Sequence, residues 1–159
     1  IKYSSHPHKY VRVFFDSRIM NISSKKLLKN NGLKVTSNRL AIVEILKSVG
    51  YAVSQGELNT MLDKSLDKVT VYRTLKTFQE AGIIHEILDG SAHVKYALCD
   101  ISDCNNDKNF HEAHIHFKCI SCDKTYCLNS IQIPDISLPI GFMVDKQFVS
   151  FQGKCQKCT

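Results

Sequence analysis

The organising stretch of this chain is Phe110-His-Glu-Ala-His-Ile-His-Phe-Lys-Cys-Ile-Ser-Cys122, which joins an alternating histidine strand to a Cys-x-x-Cys turn. A second turn of the same spacing recurs at Cys155-Gln-Lys-Cys158. Two such turns brought together offer four thiolates around one point, the tetrahedral arrangement that a structural zinc ion prefers. We therefore predict one closed zinc site with four ligands: Cys119, Cys122, Cys155 and Cys158.

Two other uses of paired cysteines stay open at this point, a redox dithiol and a pair of disulfides. A redox Cys-x-x-Cys normally opens a helix in a βαβ context, whereas the first pair here follows a predicted strand. The chain has seven cysteines, and in a protein that we expect to be cytoplasmic they favour metal binding over disulfides. Metal ligation would also supply folding free energy that a short C-terminal half lacks.

Length and composition limit the class of protein. The 159 residues are enough for one large or two small domains, and a hydrophobic content of 43% is ordinary for a globular chain. No apolar run approaches the roughly 20 residues of a membrane span, so we expect no membrane partner. Residues 1–20 are basic without a long apolar centre, which predicts a peripheral arm rather than a secretory signal.

The net charge of +6 is unevenly distributed. Residues 21–98 carry eleven Lys/Arg against seven Asp/Glu, whereas residues 99–159 carry six against seven. This asymmetry fits a nucleic-acid-binding half joined to a neutral half, although an ordinary solvated surface can have the same charge.

Four helix signals precede residue 83. The first helix is capped by Ser23 or Ser24 and the second by Thr36 or Ser37, the third opens at Ser54, and the fourth runs from about Asp67 to Ala81. The third is a capping box closed by Glu57, and its expected inward residues are Leu58, Met61 and Leu62. The fourth should bury Val71, Leu75 and Phe78.

Two strand-like runs, 83–88 and 92–98, then flank the hairpin signal Asp89-Gly90. Short helices followed by a β-hairpin make a winged helix-turn-helix. In that arrangement the helix before the hairpin is directed at the major groove of DNA.

Four motifs occur along the chain in one order, and together they resemble the ferric uptake regulator family from about residue 25 onward. The motifs are Leu33-Lys-Val-Thr-Ser-Asn-Arg39, Val69-Thr-Val-Tyr-Arg-Thr-Leu75 with Ala81-Gly82-Ile83, His114-x-His116-x-x-Cys119-x-x-Cys122, and Cys155-x-x-Cys158. The likeness is greatest to its zinc uptake regulator branch. It implies a dimeric, metal-dependent transcriptional repressor of metal-uptake genes.

The resemblance also implies the architecture. We expect an α+β protein with an arm over residues 1–20, a winged-helix DNA-binding domain over 21–98, a linker over 99–109, and a small α/β dimerisation domain over 110–159 that holds the four-cysteine zinc site. Because Pro134 and Pro139 interrupt the segment where the family has a long helix, that helix should be shortened or missing. Residues 141–144 and 148–151 are then expected as strands.

Six side chains are candidates for DNA contact. On the fourth helix these are Thr70, Tyr72, Arg73 and Lys76, and the resemblance adds Lys34 near the minor groove and Arg39 at a phosphate. A tyrosine ring can pack on a thymine methyl group, and an arginine can bind phosphate or guanine. Any of the charged residues could equally lie on an ordinary solvated surface.

A second, regulatory metal site is implied by the family. Strand alternation places His114 and His116 on one face, whereas alanines, Ala52 and Ala97, occupy the positions where iron-type regulators complete the site. We predict a replacement set of His85, Cys99, His116 and Cys127, with His114 as a substitute or fifth ligand. Thiolates favour zinc, although iron or manganese stays open. Alternatively, the two cysteines are small buried apolar residues and His85 faces solvent.

The same features argue against other classes of function. The sequence contains no nucleophile elbow and no phosphate-cradling glycine loop. We therefore expect a homodimer that binds double-stranded operator DNA and no small organic substrate. The alternatives are an iron- or peroxide-responsive regulator of the same family, and a metal or redox enzyme with an incidental winged helix.

Overall fold

The computed structural model of the chain describes residues 22–63, 66–99, 114–129, 131, 133, 137–143 and 148–159. The predicted arm over residues 1–20 and nearly all of the predicted linker over 99–109 lie outside the described residues. Within them the chain forms four helices and two three-stranded sheets. No helix there is long and apolar enough to cross a membrane.

The four helices are α1 (Ser24–Asn30), α2 (Ser37–Val49), α3 (Gln55–Met61) and α4 (Lys68–Glu80). In each helix the N-cap side chain accepts a hydrogen bond from a first-turn N–H, and the caps, which lie at the predicted helix starts, are Ser23, Thr36, Ser54 and Asp67. Glu57 completes the capping box by accepting from the N–H of Ser54 at 2.7 Å. Helix α2 ends at Gly50, whose φ of 66° is left-handed and suits glycine. These caps supply polar partners that fix where each helix begins.

One hydrophobic core joins the helices. Val71, Leu75 and Phe78 of α4 are buried against α1–α3, as the helical spacing predicts. The expectation for Met61 is wrong, because this side chain is 42% exposed while Leu58 and Leu62 are buried. Met61 is the last residue of a short helix, and Leu62 already has extended backbone, so helical spacing no longer sets which side chains point inward.

The first sheet has the order β1-β3-β2 and consists of β1 (Val53–Ser54), β2 (Ile84–Ile87) and β3 (Lys95–Leu98). Strands β2 and β3 form the predicted antiparallel hairpin, which turns at Gly90 with φ +77°. Helices α1–α4 with this sheet make the predicted winged helix-turn-helix.

The two faces of this sheet contact different parts of the molecule. Ile84, Tyr96 and Leu98 pack on the helical core, whereas the alternate residues His85 and Ile87 turn away from it. Lys95 and Ala97 lie opposite Ile87 and His85 in the hairpin register and are also buried. A buried face away from the helices requires a second layer, which the C-terminal sheet provides.

That second sheet has the order β5-β4-β6 and consists of β4 (Ile115–Cys119), β5 (Thr125–Leu128) and β6 (Val149–Gly153). Strand β4 pairs antiparallel with β5 and parallel with β6. Its register places His116 opposite Cys127, and Cys119 opposite Gly153. The expected strand over 141–144 is not formed at 141–143, and Val144 lies outside the described residues. Between Cys127 and Gly141 the described residues include no helix.

Candidate metal centres and candidate DNA-contacting helix

The four cysteines of the two Cys-x-x-Cys turns lie together at one end of the second sheet. Their sulfur atoms, in Cys119, Cys122, Cys155 and Cys158, are all within 4.8 Å of one another. Cys122 and Cys155, one from each turn, have Sγ atoms 3.8 Å apart, and a tetrahedral zinc–thiolate site requires roughly 3.8 Å between sulfurs. The geometry therefore fits a closed zinc site, in which all four ligands come from the C-terminal sheet and its loops.

Backbone N–H groups prepare part of this cluster for a cation. The N–H of Cys155 donates to Cys119 Sγ at 3.3 Å. Burial raises the pKa of Cys119, but hydrogen bonds from the N–H groups of Cys155, Cys122 and Ser121 outweigh it and bring that pKa down to about 6. In Cys158 the hydrogen-bond contact with Cys155 raises the pKa to about 12, so a metal ion would have to displace the proton of that thiol to complete the site.

A second cluster contains three histidines and one cysteine, and it spans the two sheets. His85 of β2 extends from the winged helix, and its Nε2 lies 3.2 Å from Nε2 of His114 and 3.3 Å from Nε2 of His116. Cys127 Sγ of β5 lies 3.5 Å from the same His85 nitrogen. All four ligand atoms are within 4.8 Å of one another. The three distances to His85 are close to the roughly 3.3–3.6 Å edges of a tetrahedral zinc site with nitrogen and sulfur ligands.

The group of four in the structure differs from the ligand set predicted from the sequence. His114, predicted as a substitute or fifth ligand, lies inside the group of four. Cys99 lies beside it, with its Sγ 3.7 Å from Nδ1 of His85, the ring nitrogen on the other side of the imidazole. One histidine thus connects the group of four with Cys99.

Burial sets the protonation state of this second cluster. It lowers the pKa of His116 to about 4, with a further contribution from neighbouring His114. The imidazole is therefore neutral near pH 7, the form that binds metals. Burial also raises the pKa of the Cys127 thiol to about 12, so a metal ion would have to displace its proton.

Apolar side chains line one side of the second cluster. Ala52, Ile87 and Ala97 form a small buried core, and Cys127 packs against it. Ala52 and Ala97 present only methyl groups on this side. Among the residues that the structure describes, the ligand atoms of this cluster are therefore imidazole nitrogens and thiol sulfurs.

The predicted DNA contacts of α4 lie on its outer face. Tyr72 is 52% exposed, and Arg73 and Lys76 are also exposed. Thr70 is used differently, because its hydroxyl donates to the carboxylate of the N-cap Asp67. This leaves a tyrosine and two cations available to a groove.

The two candidates near α2 are coupled to each other. The Arg39 guanidinium donates to the backbone carbonyl of Lys34 at 2.9 Å, which holds the preceding loop against the helix. Lys34 itself is exposed. Arg39 is therefore partly engaged in positioning the loop that carries Lys34.

Three residues near the second cluster were not singled out from the sequence: Asp89, Lys95 and Thr125. They form a buried hydrogen-bonded group between the two sheets. A signal was present, since alternation in β3 places Lys95 on the same face as Ala97, and a lysine on an apolar strand face requires a buried partner. Asp89 was interpreted only as a turn residue.

The winged helix and the C-terminal sheet share a four-ligand cluster, and the C-terminal sheet carries four further cysteines at one end. This combination is typical of DNA-binding regulators that a metal ion controls. Within that class, the sequence profile of the Ferric uptake regulator family matches residues 30–141, and the chain belongs to this family. It is accordingly a metal-responsive transcriptional regulator rather than an enzyme, as predicted.

Individual relatives agree with this assignment. The chain is 29% identical over 138 residues to the ferric uptake regulation protein of Staphylococcus aureus, covering 84% of this chain and 93% of that one. It is 25% identical over 139 residues to the peroxide operon regulator of Bacillus subtilis, covering 83% and 88%. A solved zinc uptake regulator in complex with zinc and DNA shares the fold at a TM-score of 0.61, with 17% identity and coverage of 91% and 96%.

Proposed function

We propose that this protein is a zinc-responsive, homodimeric repressor that binds operator DNA in the cytoplasm when its second cluster is loaded. The observation that carries the proposal is the position of His85. This histidine belongs to the winged helix, yet its Nε2 lies within 3.5 Å of three ligand atoms on the C-terminal sheet. Loading the cluster therefore depends on the relative position of the two sheets.

Coupling between metal and DNA follows from that dependence. When the two sheets are docked, four donors converge; when they separate, His85 leaves the group and three donors remain. When bound, the ion would supply a charge centre shared by both sheets, which favours the docked state. In the docked state each α4 helix has a fixed position, so two helices of a dimer can meet successive major grooves.

The ligands favour zinc. Three imidazoles and one thiolate suit a tetrahedral zinc ion, whereas ferrous and manganous ions prefer sites richer in oxygen. Iron is the second candidate, because the Staphylococcus aureus relative is a ferric uptake regulation protein. Manganese would be a third outcome of the same titration.

An exposed apolar surface supports the homodimer. On β6 and in the segment before it, Phe142 is 70% and Met143 94% exposed, and Phe148 and Phe151 are about half exposed. Large exposed apolar side chains often lie at protein interfaces, and a second copy of the chain would cover them symmetrically. Sedimentation equilibrium should then give twice the mass of the chain, and a monomer at micromolar concentration would contradict this part of the proposal.

The test is a DNA-binding titration in buffered zinc, iron or manganese, using a duplex selected from a random pool by the zinc-loaded protein. Zinc should strengthen binding by about 100-fold, the upper range of coupling between two sites. His116→Ala should abolish this response, whereas His93→Ala, which changes an exposed wing histidine, should leave it intact. A full response in His116→Ala, or a response to iron alone, would refute the zinc-sensing site.

A further inference from the structure

A buried ion pair lies between the two sheets, beside the second cluster. Lys95 Nζ lies 2.9 Å from Asp89 Oδ2, with side-chain exposures of 6% and 0%. Both residues belong to the wing hairpin, but each also contacts the C-terminal sheet. Thr125 of β5 lies at the centre of the group and is fully buried.

Polar contacts in this group cross from one sheet to the other. The Thr125 hydroxyl donates to the Asp89 carboxylate and lies 3.2 Å from Lys95 Nζ. The same ammonium donates to the backbone carbonyl of Asp123 at 2.7 Å. Lys118 Nζ, on β4, approaches Asp89 to 3.9 Å. No member of this group belongs to either candidate metal cluster.

Backbone pairing reinforces the same contact. The N–H of Ala52, next to β1, donates to the carbonyl of Thr125 at 2.8 Å. This bridge joins the first sheet to the second at the residue whose side chain carries the polar group. Docking therefore uses both the backbone and the side chain of Thr125.

The charges in this group are matched. Burial raises the pKa of Asp89, but hydrogen bonds from Ser91, Thr125 and Lys95 outweigh it and hold that pKa well below its usual range. The carboxylate is thus ionised opposite the Lys95 ammonium. Separating the sheets would remove the Thr125 and Asp123 partners from this ion pair, so the contacts favour the docked state even without metal.

We propose that Asp89, Lys95 and Thr125 form a metal-independent latch that stabilises the docked state and thereby sets the metal concentration at which DNA binding begins. This inference rests on the proposed function. A protein whose competent state is only partly populated binds its ligand with an affinity reduced by that fraction. A stronger latch therefore means a lower metal threshold.

Weakening the latch has a distinctive signature. It should weaken DNA binding when the second cluster is empty, and it should raise the metal concentration for half-maximal binding by the same factor. Saturating metal should still populate the docked state fully, so the final DNA affinity should stay unchanged. Damage to the ligands alone would leave the metal-free DNA affinity unaltered.

The experiment compares Thr125→Val, which replaces the hydroxyl with a methyl group of similar shape, with Thr125→Ser, which keeps the hydroxyl. The probe is the selected duplex in a buffered zinc series, with bound zinc and thermal unfolding as checks on the four-cysteine site. Thr125→Val should weaken metal-free DNA binding about tenfold and raise the zinc midpoint about tenfold, since the lost hydrogen bond involves a charged group. Thr125→Ser should stay close to the parent. Lys118→Met removes the 3.9 Å contact with Asp89 across the two sheets, and within the C-terminal sheet it removes a 3.3 Å contact with the exposed Asp123 carboxylate. It should shift both quantities about threefold.

The outcomes separate the two proposals. A parent protein whose DNA binding ignores metal would overturn the proposed function and the latch together. A responsive parent with Thr125→Val unchanged in metal-free DNA affinity would overturn the latch alone. A lower DNA affinity at saturating zinc, with lost thermal stability, would also overturn it, because Thr125 would then have a general structural role.

Discussion

The two candidate metal clusters differ in which parts of the chain they join. All four thiols of the cysteine cluster belong to the C-terminal sheet and its loops, so an ion there holds one domain together. The second cluster takes His85 from the winged helix and His114, His116 and Cys127 from the C-terminal sheet. An ion bound within a domain contributes to folding, whereas an ion bound between domains can report their relative position.

The ligand atoms of the two clusters also differ. Four thiolates bind zinc tightly enough to make folding depend on it. Three imidazoles and one thiolate bring less negative charge to an ion than four thiolates do, so we expect the second cluster to bind zinc more weakly and more reversibly. Reversibility is what a sensor requires.

Tyr126 contacts both the cysteine cluster and the winged helix. The Tyr126 hydroxyl donates to Cys155 Sγ at 3.8 Å. Its ring packs edge-on against Tyr51, with centroids 6.4 Å apart, and Lys124 Nζ lies 4.3 Å from the centre of the Tyr51 ring. Since Tyr51 follows α2 in the winged helix, the cysteine cluster also supports the docking surface, although it takes no ligand from the winged helix.

The largest expected effect comes from breaking the cluster within one domain. Cys155→Ser should lose one zinc per chain and unfold the C-terminal sheet, because structural zinc supplies on the order of 10 kcal/mol of apparent binding free energy. Elemental analysis and circular dichroism on heating would measure both. The matched control is Cys127→Ser, which should keep this zinc. Equal zinc content in Cys155→Ser and the parent would remove the distinction between the clusters.

A smaller effect should separate a ligand from its neighbour in the second cluster. Cys127→Ser should raise the zinc midpoint of DNA binding about 100-fold, consistent with loss of one ligand. Cys99→Ser should raise it only about tenfold, because Cys99 contacts Nδ1 of His85 rather than the converging nitrogens. Equal shifts in the two variants would show that Cys99 is itself a ligand, as the sequence first suggested.

The smallest effect concerns the tyrosine connection. Tyr126→Phe removes the hydroxyl donor to Cys155 and keeps the ring, so zinc should leave the cysteine cluster about threefold faster, in line with roughly 0.7 kcal/mol for one weak hydrogen bond. Transfer of zinc to a chromogenic chelator gives the rate. Tyr96→Phe, in the winged-helix sheet, should match the parent, and an unchanged rate in Tyr126→Phe would show that the hydroxyl contributes nothing.

Much of the architecture was predictable because its signals are local. Helix starts at Ser23, Thr36, Ser54 and Asp67 agree with the structure, since a cap and its N–H partners lie within a few residues. The prediction that both Cys-x-x-Cys turns converge also agrees with the structure. It was possible because two turns of the same spacing are typical of one shared four-ligand site. The prediction that Met61 points inward was wrong, because its exposure depends on where the helix ends rather than on helical spacing.

The candidate sensing site was predictable only in part. Alternation placed His114 and His116 on one strand face, and their contact with His85 agrees with the predicted set. Whether Cys99 or His114 joins the group depends on the rotation of the His85 ring, which no sequence spacing reveals. The function of this site as a zinc sensor stays a prediction.

Caps and strand alternation were sufficient to predict the helices and the wing hairpin from the printed chain, because each such interaction is specified by neighbouring residues. The order of four motifs predicted the family, and the matched cysteine spacing predicted the four-cysteine cluster. Only the folded molecule revealed the docking of wing on sheet, with Asp89 and Lys95 buried against Thr125. Residues 28 to 36 positions apart along the chain meet there. The hydrogen-bond partners that stabilise the buried charges of Asp89 and Lys95 are therefore determined by how the two sheets pack rather than by any local pattern.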